Sequence, residues 1–109
     1  MGYDIHITRA NDWTDSESTP ITREEWLEQV AADSSIGPDP ENGEDDFLWL
    51  AHPIEPWSLW WYRGEVYTKD PDIHTIKKMA GIARLLHARV QGDDREIYDE
   101  TGVPKKSER

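Results

Sequence analysis

At 109 residues, with a net charge of −11 and a mean hydropathy of −0.86, the chain is one domain with room for a single modest core. Six Trp and four Tyr argue against global disorder, since disordered chains are poor in aromatics. With no cysteine there is no disulfide framework and no thiolate zinc site, and no apolar run approaches the length of a membrane span.

The first element is a strand over residues 3–9. Tyr3, Ile5 and Ile7 face one way; Asp4, His6 and Thr8 face the other, the alternation of a half-buried strand. His6 is expected on the polar face as a solvated or hydrogen-bonded residue, with general base or metal ligand as the alternatives. Residues 10–20 form a loop with Trp13 among Asp12, Asp15 and Glu17. Trp13 either folds back to cap the core or belongs to a loop that binds a cation.

A helix follows with complete start signals. Thr22 is the N-cap, Glu25 closes a capping box, and Ile21 and Trp26 form a hydrophobic staple. Glu24 and Glu25 suit the positive end of the helix dipole. Trp26, Leu27, Val30 and Ala31 make its apolar stripe, and it should end near Asp33. Residues 33–46 read as an acidic loop with two Pro, two Gly and no base. Asp39, Glu41 and the run Glu44-Asp45-Asp46 suggest calcium, but an EF-hand counted from Asp39 needs Gly where Glu44 stands. No metal or cofactor is expected.

Residues 47–52 form a short strand, and residues 57–69 a β-hairpin. Arg63-Gly64 is its two-residue loop, Gly supplying positive φ. Tyr62 then faces Glu65, Trp61 faces Val66 and Trp60 faces Tyr67. Leu59, Trp61 and Val66 are assigned to the core face, leaving Trp60, Tyr62 and Tyr67 on the other. A second helix begins at Asp70-Pro71-Asp72, with Asp70 as the cap and Pro71 in the first turn. Ile73, Ile76, Ala80, Ala83 and Leu86 form its stripe, and Gly81 is expected to allow close packing. Residues 88–91 and 96–98 pair across a Gly-Asp-Asp-Arg turn.

The expected fold is α+β: a mostly antiparallel sheet of 4–6 strands with two helices on one face. Residues 1–100 form the domain and residues 101–109 a frayed polar tail.

Two stretches carry a resemblance. The opening YDIHITRA with the later PIT-EEW, and the closing KMAGIARLLHARVQGDDREIYD, resemble the ends of a group of small uncharacterised bacterial proteins. The resemblance implies a bacterial, cytoplasmic unit and carries over no catalytic residues. In size and charge the chain is similar in style to immunity proteins of toxin systems.

The excess charge bears on function. Residues 1–46 hold 13 acids against Arg9 and Arg23, and residues 47–109 hold ten acids and ten bases. This argues against a nucleic-acid partner, whose phosphates require clustered Lys and Arg. It suits a basic protein partner, or solubility alone. The favoured expectation is a non-enzymatic binding module, of the immunity-protein or antitoxin kind, that neutralises a basic toxin. Trp60, Tyr62, Tyr67 and Trp13 would anchor the partner; Asp39, Glu41, Glu44, Asp45 and Asp46 would steer it. One alternative is an enzyme in which His6 works with Asp4, Asp12, Asp15 and Arg9. Another is a homodimer that buries the aromatic face.

Overall fold

The computed structural model describes residues 3–43 and 45–105. The chain runs β1 (Asp4–Thr8), a 3₁₀ turn (Trp13–Ser18), α1 (Arg23–Ala31), β2 (Ile36–Pro38), β3 (Asp46–Trp49), β4 (Trp57–Tyr62), β5 (Glu65–Lys69), α2 (Ile73–Leu85), β6 (Arg89–Gly92), β7 (Ile97–Tyr98) and β8 (Pro104–Lys105). Among the described residues the strands form one antiparallel sheet of eight, in the order β2-β3-β4-β5-β1-β6-β7-β8. The α+β class and the antiparallel sheet are as expected; the strand number exceeds the 4–6 of the sequence reading.

Both extra strands lie where loops were expected. Ile36 is buried, and its strand pairs with β3 inside the 33–46 segment. At the other edge, Gly102 turns with φ +79° and lets Pro104–Lys105 pair with β7. That part of the expected tail therefore belongs to the sheet, and residues 106–109 lie outside the described residues.

One face of the sheet carries both helices. Ile5, Ile7, Leu59, Val66 and Val90 from the strands meet Trp26 and Val30 of α1 and Met79, Ile82 and Ala83 of α2 in a single cluster. Thr22 and Glu25 make the capping box in both directions, and Ile21 and Trp26 are fully buried beside it. The Trp26 ring meets Phe47 edge-on at 5.8 Å. The Trp61 indole lies on this inner face and donates to the Ile21 carbonyl at 2.9 Å.

The hairpin has the register read from the sequence, with pairs Trp60–Tyr67, Trp61–Val66 and Tyr62–Glu65. Arg63 and Gly64 both take positive φ, 52° and 89°, as a right-twisted two-residue turn requires. Gly64 also allows a close approach: a Cβ there would lie 2.7 Å from the Ser16 carbonyl oxygen. The Gly64 carbonyl accepts from the Ile21 amide at 2.9 Å. The hairpin tip is thereby tied to the 10–20 segment.

Two local expectations are corrected in α2. Its N-cap is Asp72, not Asp70, because the Asp72 carboxylate accepts from the Thr75 amide and hydroxyl and also from His52. Asp70 instead accepts from the Tyr3 amide. Gly81 is exposed, and a Cβ there would meet nothing within 4 Å. Its helical position has space for a methyl group, so Gly81→Ala should stabilise the domain by about 0.5–1 kcal/mol. A raised urea midpoint checks this; an unchanged or lowered one refutes it.

Candidate binding face and the His6 clamp

The outer face of the sheet carries the aromatic residues assigned to a partner or a second copy. The structure divides it. One cross-strand row reads Asp46, Trp60, Tyr67, His6, Gln91. The 10–20 segment covers the His6–Gln91 end of this row. The Trp13 ring lies flat on His6, with centroids 4.0 Å apart and planes within 5°. The Trp13 amide donates to the Gln91 side chain at 2.6 Å, and the Gln91 amide group donates to the Asn11 carbonyl at 3.2 Å. Ser16 and Thr8 hydroxyls meet at 2.7 Å in a buried contact. Trp13 therefore folds back onto the chain, but over the outer face of the sheet rather than over the core.

His6 lies on the outer face and is hydrogen-bonded, as one expected alternative has it, but it is buried, 3% exposed, and not at the surface. Its Nε2 is hydrogen-bonded to Asp93 at 2.8 Å and its Nδ1 to Glu65. Both ring nitrogens thus face carboxylate oxygens, an arrangement that favours the protonated imidazole. Burial pulls the imidazole pKa down, but the hydrogen bonds to Glu65 and then Asp93 outweigh it and raise the pKa above the usual 6.5. The Trp13 ring stacked on the imidazole favours its protonated form further. His6 thus clamps β5, the turn after β6 and the Trp13 loop.

The residues expected to gather around His6 mostly point elsewhere. Arg9 grips Glu25 through two nitrogens, at 2.8 Å each, on the α1 side. Asp12 pairs with Arg95. Of the expected set, Asp4 shares the cleft with His6. Glu65 and Asp93 were not singled out from the sequence, because they lie 59 and 87 residues from their histidine.

The open half of the face carries the aromatic anchors. Tyr62 is 54% exposed; Trp60 and Tyr67 are partly exposed, their rings 5.3 Å apart and tilted. Burial, followed by the charges of Asp4, Asp46 and Glu65, raises the Tyr67 hydroxyl pKa. Between this hairpin and the Trp13 loop lies a cleft of about 380 Å³. Glu65 and Tyr67 are on one side, Trp13 and Glu17 on the other, with Asp4 and Lys69 also lining it.

The expected steering carboxylates behave differently from one another. Asp39 is buried, and its carboxylate accepts from the Glu41 amide and the Asn42 side chain, fixing a turn. Asp45 pairs with Arg23. Glu41 is exposed, Asp46 stands beside Trp60 in the register, and Glu44 lies outside the described residues. The 39–46 segment is a hairpin connection, closed by the Asp39 amide on the Asp46 carbonyl at 3.1 Å. Among the described residues no group of three or more His, Asp or Glu could hold a metal ion. Nor is any described helix long and apolar enough to cross a membrane. No protein-family model, curated protein or solved structure matches the chain.

Proposed function

We propose that this protein is a binding module for a basic protein, an immunity protein or antitoxin in kind, that holds its partner on the open half of the sheet. The observation that supports this reading is the combination at one place of Trp60, Tyr62 and Tyr67 with Asp4, Asp46 and Glu65. Contiguous exposed aromatics mark interaction sites. Aromatic anchors supply most of an interface's energy, and surrounding carboxylates speed encounter with a cationic surface. The Trp13 loop is held by hydrogen bonds to Gln91, so half of the platform is built before any partner arrives, which lowers the ordering cost of binding.

The enzymatic alternative draws less support. Both ring nitrogens of His6 are engaged by carboxylates of the chain itself, which leaves neither facing a substrate proton.

The test is affinity capture from an extract of the native cell, at low and high salt. The expected result is retention of one basic protein, weakened by salt. The double variant Trp60→Ala/Tyr62→Ala, with its circular dichroism unchanged, should weaken that complex by at least about 30-fold, the effect of losing one strong anchor. Retention of nothing, or equal retention by the variant, would overturn the reading. Mass from light scattering that doubles with concentration would favour the homodimer instead.

A further inference from the structure

The connection from β2 to β3 contains the pair Asn42-Gly43, and both residues are exposed. In such a pair the backbone nitrogen of the second residue reaches the asparagine side-chain carbon with no Cβ in its way. The surroundings supply a proton acceptor for that nitrogen. The Asp46 carboxylate lies beside the Gly43 backbone, where an added Cβ would stand 3.2 Å from its Oδ2. Burial raises the Asp46 pKa, and the Gly43 amide opposes that rise as its hydrogen-bond donor. A carboxylate placed on the N–H of an attacking nitrogen is positioned as its general base.

The leaving group has a partner too. The Asn42 side-chain nitrogen donates to the carboxylate of Asp39, which is 8% exposed, and the Asn42 amide donates to the Asp39 carbonyl at 3.4 Å. The chain has one other asparagine, Asn11, and its setting differs. Asp12 follows it, with a Cβ and with a carboxylate held by Arg95 and Thr14. The Asn11 side chain accepts from Arg89, and its carbonyl accepts from Gln91.

We propose that Asn42 is a site of self-modification, at which the Gly43 nitrogen displaces the side-chain nitrogen of Asn42 with Asp46 as proton acceptor. The Gly43 nitrogen forms a bond to the side-chain carbonyl carbon of Asn42 and closes a succinimide ring. The bond from that carbon to the side-chain nitrogen breaks, and the nitrogen leaves as ammonia with the proton that Gly43 gives up through Asp46. Water then opens the ring at either carbonyl, leaving aspartate or isoaspartate at position 42. Water is the only co-reactant. Either product sets a carboxylate where the buried Asp39 had a donor, so like charges face each other at a poorly hydrated position. Isoaspartate also lengthens the backbone by one carbon. The turn that the Asp39 amide closes on the Asp46 carbonyl therefore loosens, and Asp46 pairs with Trp60 at the border of the open face. None of this depends on the binding-module reading.

The experiment is ageing of the full chain in mildly alkaline buffer, followed by peptide mass mapping and by labelling with an isoaspartyl methyltransferase. The expected result is conversion at Asn42, with isoaspartate among the products, while Asn11 stays intact over the same time. Gly43→Ala should slow conversion roughly tenfold, a barrier raised by about 1.4 kcal/mol. Asp46→Asn, which keeps the shape and removes the base, should slow it as well. Asn42→Gln, whose longer side chain closes a less favourable ring, should stay unconverted and serves as the control if Gly43→Ala disturbs the turn. Hydrogen exchange at the Asp39 amide should be faster in the converted protein. Asn42 left intact, conversion without isoaspartate, or a rate unchanged by Asp46→Asn would overturn the proposal. Asn42→Gln converting as fast as the wild type would overturn it too.

Discussion

His6→Leu is expected to lower folding free energy by about 3–5 kcal/mol, read from urea unfolding at pH 6. The substitution leaves Glu65 and Asp93, 13% and 32% exposed, without the cation that both face. Uncompensated charge at a poorly hydrated position is what makes breaking such a cluster costly. Against a total stability of about 5–15 kcal/mol for a domain, the loss is a large share. A change under about 1 kcal/mol would mean that the two carboxylates are hydrated well enough to do without the imidazolium.

The same clamp sets a pH dependence with a definite sign. The folded protein holds the His6 proton more tightly than the unfolded chain does, because the imidazole pKa is raised. The contribution is full below about pH 6.5, the ordinary histidine value, and is lost as pH rises through the folded value. The urea midpoint of the wild type should therefore fall above pH 6.5, and that fall should be absent in His6→Leu. On the acid side the sign reverses. Arg95 holds Asp12, and Arg9 holds Glu25, down at about 2. Their contributions are present above the ordinary carboxylate range and disappear as pH falls towards 2. Stability should peak between about pH 4.5 and 6.5. A midpoint that rises from pH 6.5 to 9 would show that His6 is neutral in the folded state.

The second large effect lies on the opposite face of the sheet. Trp26→Ala should cost about 3–5 kcal/mol, the range for emptying a buried aromatic site. The residue is fully buried, it closes the staple over Ile21, and it packs edge-on against Phe47. Its indole also donates to the Asp45 carbonyl at 3.3 Å. Truncation therefore opens a cavity where α1 meets the sheet and frees one end of the 39–46 connection. At about 4 °C per kcal/mol for a domain near 100 residues, the thermal midpoint should drop by more than about 10 °C. Trp60→Ala is the internal comparison. Its ring is partly exposed and packs mainly on Tyr67, so it should cost about 1 kcal/mol or less. Comparable losses for the two would mean that the outer aromatics serve folding, and the binding reading would lose its main support.

The two faces were legible to different depths. The alternation of β1 separated Ile5 and Ile7 from His6, and the Arg63-Gly64 loop set the register that put Trp61 and Val66 inside. Which groups met His6 was not legible. Its carboxylates come from the next strand of the sheet and from the turn beyond β6, and the order β5-β1-β6 brings them to it. Asp39 shows the same limit. Its charge looked available for steering, yet the amides of the following residues claim it. An acidic run reports charge, and the local turn decides whether that charge is free.

The sequence by itself determined the elements whose causes are local. The Thr22–Glu25 capping box acts over three residues, the hairpin turn over two, and strand alternation over neighbouring side chains. Each is fixed by backbone geometry that a short stretch contains. Only the tertiary structure decided that the Trp13 loop covers part of the outer face and that His6 is buried between two carboxylates. It also decided that the cleft opens between that loop and the hairpin. These depend on which strands become neighbours, and strand order follows from how the whole core packs.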